Sequence, residues 1–506
     1  MRRQAVLLIV FAALLVLSLV VYFVVIAPFT APEETPDETP ETEAGEVLGV
    51  SDRFFMFGSV ERKDIKTITV DNEHGGFTFE GDGKGNFVIK GYDTVNYDAE
   101  LFATLLNVTS YTLAKTKVGS NVSAEKLEEY GLTEPKASWK VTTYGGDSFT
   151  VYVGDRLLTG GGYYCKLASR NSVYVLGIDV ENTVLVPVET YVTPVLCAGI
   201  SQDDYYLTED FTMYDHGEKL FSLRLVDKED MINPDALAEV IMDYPTEYHP
   251  NSSLYYQLVF DCMSLMGDSC EVLGAGEEDF KKYGLSEPAH RMTLTYKGAT
   301  FDIRFSELDE EKGVYYACSN LYPNIIATCN AESFEFLEYG LIDWIDEYVF
   351  QRNIASIEEI SVTTDKVKAE YSLSHGFDER GDATLAVLAN GERISGDYVY
   401  NFRQYYKAFL ALAIEGYVAD DEYCKMNEAE MAEYIADREN AYMFFKYKTI
   451  AGEETEIGLY RYSTRHSVVT INGVGEFFVL TDLVKKIEND TERILAREPI
   501  TAHDKT

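Results

Sequence analysis

Hydrophobic and polar residues follow two periods along most of this chain, and the order of those periods recurs three times. Each copy opens on a strand-like alternation: Ile65-Lys-Thr-Ile-Thr-Val70, Phe211-Thr-Met-Tyr214 and Ile357-Glu-Glu-Ile-Ser-Val362. A second strand follows. Then apolar positions fall three and four apart, as at Leu101, Leu105, Val108 and Thr109, the spacing of one buried helix face. Helices are expected over residues 98–113, 252–266 and 398–413.

A short helix with a built-in stop comes next. Glu125-Lys-Leu-Glu-Glu-Tyr-Gly-Leu-Thr-Glu-Pro135 aligns with Glu278-Asp-Phe-Lys-Lys-Tyr-Gly-Leu-Ser-Glu-Pro288. Gly131 and Gly284 can take the left-handed backbone that closes a helix, and Pro135 and Pro288 forbid continuation. Tyr130, Leu132, Tyr283 and Leu285 complete the motif. Two strands and a hairpin then follow, the hairpins spanning Tyr163–Leu176, Tyr315–Thr328 and Ser467–Leu480. The third copy is degenerate: residues 428–437 keep Tyr434 but lack the Gly-Leu and the Pro. The expected class is α+β, with three repeated modules of antiparallel sheet and a packed helix over 62–190, 205–345 and 355–495.

Ahead of the repeats, Arg2 and Arg3 precede an uncharged run from Ala5 to Ile26. Its length, about 33 Å as a helix, suffices to cross a hydrocarbon core. A cleaved signal peptide is the rival reading, but the run exceeds the usual apolar region of one, and Pro28 and Pro32 follow the small-residue sites. Residues 1–27 are therefore expected to be a single-pass signal-anchor, with the Arg pair in the cytoplasm and the bulk of the chain extracytoplasmic. Residues 28–50, rich in Pro, Thr and acid, are expected to form a solvated, extended linker.

Charge narrows the partners. The 506 residues carry 43 Lys and Arg against 85 Asp and Glu, a net charge of −42. Such a surface repels phosphate backbones, so no nucleic-acid partner is expected. The seven Cys are too sparse for a disulfide scaffold and form no C-x-x-C. Cys318 and Cys329 fall on the two strands of one hairpin and are the candidate bridge.

The order Tyr-Gly-Leu-x-Glu-Pro, then Val151-Tyr-Val-Gly-Asp155, Thr159-Gly-Gly-Gly-Tyr-Tyr-Cys-Lys-Leu167 and Val173-Tyr-Val-Leu176, resembles the bacterial domain-of-unknown-function 4340 family. The first copy matches best. The second has Phe305-Ser-Glu-Leu where the Val-Gly-Asp turn should be, and the third is recognisable through its opening strand and last hairpin. The resemblance implies a membrane-anchored extracytoplasmic protein of the kind encoded beside ABC-type transporter genes. It implies no catalytic residues.

The chain's own chemistry points the same way. None of the seven His pairs at i, i+4, and no G-x-S-x-G or Walker sequence occurs. His74, His216 and His375 fall in apparent turns and read as solvated. Ser123-Ala-Glu-Lys126 fits S-x-x-K but lacks its partner motifs and reads as a helix cap. Asp82-Gly-Lys-Gly-Asn86 places a Lys where a calcium loop needs a ligand, and reads as a hairpin turn. No enzyme, cofactor or metal site is expected.

Tyrosine is the compositional anomaly, with 37 copies, several in tandem. The tyrosines fill wide sheets in the preferred reading; neighbours on a strand point to opposite faces, so the alternative leaves one of each pair as exposed contact surface. Tyr163, Tyr164, Tyr315 and Tyr316 occupy equivalent positions and form the candidate interaction face. The expected function is a non-enzymatic accessory scaffold of an ABC-type envelope transport complex. The alternative is a cell-wall or glycan-binding surface protein using exposed Tyr.

Overall fold

A computed structural model describes residues 42–49, 53–228, 231 and 237–500. The run Ala5–Ile26 and spacer residues 28–41 lie outside the described residues. Among the described residues, no helix is long and apolar enough to cross a membrane.

The fold is α+β, built on three large antiparallel sheets. The first runs, in spatial order, Phe87–Ile89, Gly75–Gly81, Ile65–Asn72, Ala137–Thr143, Ser148–Arg156, Tyr163–Leu167, Val173–Leu176 and Thr116–Gly119. The second has the same order: Val240–Tyr244, Glu218–Leu225, Asp210–Asp215, His290–Tyr296, Ala299–Phe305, Val314–Ser319, Ile325–Asn330 and Ser269–Leu273. The third repeats it through Ile357–Thr364 and Ala441–Thr449 at its centre, with a ninth strand, Glu392–Ile394, added at one edge. In each, a meander is built outward from the opening strand. The chain then crosses to the far edge, and a second meander fills the gap.

The crossing is made by the long helices Ala99–Ser110, Ser252–Asp261 and Asp397–Leu410. All three stop short of the expected ends. In the second, Ser264–Met266 forms a strand paired with Val195–Ala198, so ladder bonds take the backbone groups a further helical turn would have used. The long helix seals one face of its sheet: Phe102 lies 4.6 Å from Phe79, and Tyr255 lies 5.4 Å from Phe211. The sequence reading placed a helix on one face only. The short helices Ala124–Glu129, Glu277–Lys282 and Glu428–Ala436 cover part of the other face, each over its own small apolar cluster.

The chain divides into two compact units. One comprises the described residues up to Asp93 with Ala99–Pro187, and the other comprises Thr94–Asp98 with the described residues from Val188 on. The second and third sheets therefore share one unit, and one continuous apolar core joins them. The link between them supplies the join. Trp344 packs 5.0 Å from Phe221 of the second sheet, and Phe350 packs 5.1 Å from Phe445 of the third.

Residues 42–48 are docked, not solvated as expected for the end of a spacer. Val47–Leu48 pairs with Phe54–Phe55. The fully buried Glu46 carboxylate meets Lys117 Nζ at 2.9 Å and accepts a hydrogen bond from the Tyr174 hydroxyl. Glu43 meets Lys117 at 3.4 Å and accepts from Ser172. Burial alone would raise both carboxyls. The bonds from Ser172 to Glu43 and from Tyr174 to Glu46, with Lys117 on both, outweigh it and hold both below the ordinary value of 4.5. Carboxyls lowered by folding stabilise above the ordinary value and cease to do so as pH falls through the lowered one. Hydrogen exchange of residues 42–48 is therefore expected to accelerate at about pH 3 relative to about pH 6, after correction for intrinsic rates, while strand Ile65–Asn72 stays protected. Unchanged relative protection would show that the two carboxylates do not hold the segment.

All seven Cys are free thiols. Cys329 lies opposite Tyr315, and Cys318 is three residues further along that strand. An odd offset turns the two thiols to opposite faces, so the candidate bridge does not form.

Candidate functional site

The repeated turn is a helix closure of the expected kind. Gly131 and Gly284 have φ of +66° and +71°. Beyond them, Leu132 N–H donates to the Leu127 carbonyl and Leu285 N–H to that of Phe280, at 2.8 and 2.7 Å. Leu132 and Leu285 plug the clusters under the turn. Ser123 caps the first short helix, accepting from Lys126 N–H.

The tandem tyrosines are the socket for this motif. Tyr163 and Tyr315 point into the long-helix side of their sheets and are buried. Tyr164 and Tyr316 point the other way. Tyr130 stacks on Tyr164 at 4.3 Å, and Tyr283 packs on Tyr316 at 4.6 Å. Neighbouring residues do face opposite sides, but both sides are covered. Tyr163, Tyr315 and Tyr316 are buried and Tyr164 half-buried, so these tyrosines fill the sheets, as in the preferred reading, and the alternative exposed face is absent at these positions.

The two copies differ where the turn meets the neighbouring strand. In the first, Asp155 N–H donates to the Tyr130 carbonyl at 2.8 Å. That approach requires glycine at 154: a Cβ there would lie 2.1 Å from the Tyr130 oxygen. Lys136 closes the contact, 3.0 Å from the Asp155 carboxylate. In the second copy Ser306 stands in place of the glycine. It bonds within its own strand pair instead, accepting from Tyr316 N–H at 2.9 Å and donating to the Glu307 carbonyl at 2.7 Å.

A cleft of about 830 Å³ lies between the Tyr283–Ala289 turn and the Ser306–Asp309 segment. Pro135 and Pro288 both end their motifs as expected, but Pro288 also lines this cleft. On its floor, Arg291 makes two 2.9 Å bonds to Asp302 and lies over the Tyr214 ring. Lys282 Nζ reaches the Tyr283 hydroxyl at 2.9 Å, and Lys312 Nζ reaches that of Tyr316 at 2.6 Å.

His216 stands at the mouth, in the hairpin turn with φ +46°. Its Nδ1 lies 2.8 Å from Asp215 and its Nε2 2.8 Å from Glu307. The bond to Glu307, then that to Asp215, raises its pKa above 6.5. His290 lies behind, 3.3 Å from the same Asp215 oxygen. Among the described residues, no group of three or more His, Cys, Asp or Glu is placed to hold a metal ion.

The sequence reading missed this site. His216 read as a solvated turn residue, and nothing in the sequence joins it to Glu307, 91 positions away. The one available signal was the departure at Ser306 from the Gly-Asp turn of the first copy. His375 is exposed, in line with its reading as solvated, but lies in strand Lys368–Phe377 rather than in a turn and contacts the Ile357 carbonyl at 2.9 Å. Asp82 does organise a turn, accepting from Lys84 and Asn86, which brings its carboxyl down to about 2.

No curated protein and no solved structure matches the chain. One family matches, and its span holds the second copy of the motif and the cleft's Tyr283–Ala289 turn, while the first copy lies outside it. Residues 266–438 carry the domain of unknown function DUF4340.

Proposed function

We propose that this protein is a membrane-anchored, extracytoplasmic, non-enzymatic scaffold serving an ABC-type envelope transport complex. The observation that carries the reading is repetition: three sheets of one strand order, two of them fused over a single core. We read them as three copies of one module. Repeated modules offer more than one surface for partners. The uncharged run Ala5–Ile26 is the anchor in this reading, and the acidic spacer separates the folded part from the lipid. The cleft of the second sheet is the proposed point of partner contact. Glycan binding through exposed Tyr is not favoured, because three of its four residues are buried.

The test is a crosslinked pull-down of the full-length protein from native membranes, read by mass spectrometry. Transporter permease or ATPase subunits should be recovered, and recovery should fall when the cleft is filled by Glu287→Trp, which leaves the helix-closing Gly284 in place. Recovery of no transporter subunit, with the bait enriched on purified wall material, would sink this reading and revive the glycan one.

A further inference from the structure

The cleft's mouth is held by an imidazole between two carboxylates. Both His216 ring nitrogens contact carboxylate oxygens at 2.8 Å. A carboxylate only accepts, so both nitrogens must donate, and the ring must be the imidazolium. One contact, to Asp215, stays within its own hairpin. The other, to Glu307, crosses the mouth and ties the hairpin to the strand end that the first copy ties differently.

The comparison with the first sheet gives the tie its meaning. There the same position, Asp155, is bound by Lys136 and by the backbone bond to Tyr130. Ser306 excludes that backbone bond in the second sheet, since its Cβ would not fit the closed arrangement. The first sheet's ion pair uses an ammonium, a class of group that holds its charge from pH 6 to 9, whereas an imidazolium does not.

We propose that His216 is a pH-sensitive latch on the cleft of the second sheet, closed when protonated and released when neutral. A neutral ring keeps one N–H. The tie across the mouth then falls from an ion pair to at most one hydrogen bond from an uncharged donor, and a ring lone pair is left facing a carboxylate. The raised value of His216 sets the sign: the latch is complete below the ordinary imidazole pKa and opens as pH rises through the raised one.

The surrounding charges leave the role to His216. His290, on strand His290–Tyr296, is buried and faces Asp215 and, at 3.9 Å, Glu338, itself bonded by the Tyr315 hydroxyl. It backs Asp215 and does not reach Glu307 in the observed contacts. Arg291 is taken by Asp302. Asp309, on the same segment as Glu307, faces Lys312 at 4.0 Å and the Tyr316 hydroxyl at 3.3 Å. Lys282 is held at Tyr283, and Glu287 lines the opposite wall.

The experiment is hydrogen exchange of the full chain in nanodiscs at about pH 6 and about pH 9, corrected for intrinsic rates. Peptides covering His216, whose N–H bonds the Ala289 carbonyl, and Ser306–Asp309 should lose about two- to fivefold protection at the higher pH, the size expected of an ion pair between exposed side chains. Peptides around Asp155 should not change. His216→Gln should remove the difference and leave the mouth at the unprotected level at both pH values. His290→Gln should keep it. Strand Ala299–Phe305 protection reports that each variant is folded. Equal protection of the wild type at both pH values overturns the proposal, as does a pH response that survives in His216→Gln or vanishes in His290→Gln.

Discussion

Gly154→Ala is expected to destabilise the first unit by about 3 kcal/mol, lowering its unfolding midpoint by about 6–12 °C. The added Cβ would sit 2.1 Å from the Tyr130 carbonyl oxygen and 3.1 Å from the Gly131 carbonyl carbon. Both are backbone atoms, so no rotamer change relieves the clash. The turn must move, and the Asp155 N–H bond to Tyr130 goes with it. Gly76→Ala in the same sheet is the control: its Cβ would meet nothing nearer than 3.5 Å, and the expected change is within about 1 kcal/mol. The chain has two Trp, and Trp139 lies in the first sheet, fully buried. In a Trp344→Phe background its fluorescence follows the first unit. A midpoint for Gly154→Ala equal to that of Gly76→Ala would show that the turn closes without the tight approach.

Trp344→Ala should cost the second unit about 3–5 kcal/mol. The ring is 1% exposed, packs against Phe211, Phe221 and Tyr339, and sits in the link that joins the cores of the second and third sheets. Its indole nitrogen has no hydrogen-bond partner. Trp344→Phe therefore loses volume but no bond, and should cost about 1–2 kcal/mol. Denaturant unfolding followed by far-UV circular dichroism should show the second unit's transition moved to lower denaturant in Trp344→Ala, while the Trp139 fluorescence transition stays in place. Equal losses for the two variants would mean that the cavity is not what destabilises the unit.

Much of the fold was legible because its signals are local. The opening alternation at Ile65, Ile68 and Val70 is a statement about one strand's two faces, and all three residues are buried. The Tyr-Gly-Leu turn is a closure of one helix, settled within six residues. The helix ends at Ser110, Asp261 and Leu410 were misjudged because a strand elsewhere competes for the backbone that follows, as Val195–Ala198 does for Ser264–Met266. The tandem tyrosines left two readings open for a related reason. Alternation gives the two directions but not what waits on each side, and here a core lies on one side and the motif's own Tyr130 or Tyr283 on the other.

By itself, then, the sequence determined the α+β class, the threefold recurrence of periods, the helix-closing glycines and the strongly acidic balance, all properties of neighbouring residues or of simple sums. The tertiary structure alone decided that the second and third sheets share a core, that Glu43 and Glu46 dock on Lys117, and that His216 meets Glu307 across a cleft. These depend on contacts between residues tens to hundreds of positions apart. No local period encodes such a pairing, because burial and charge complementarity are realised only once the chain has brought both partners out of water.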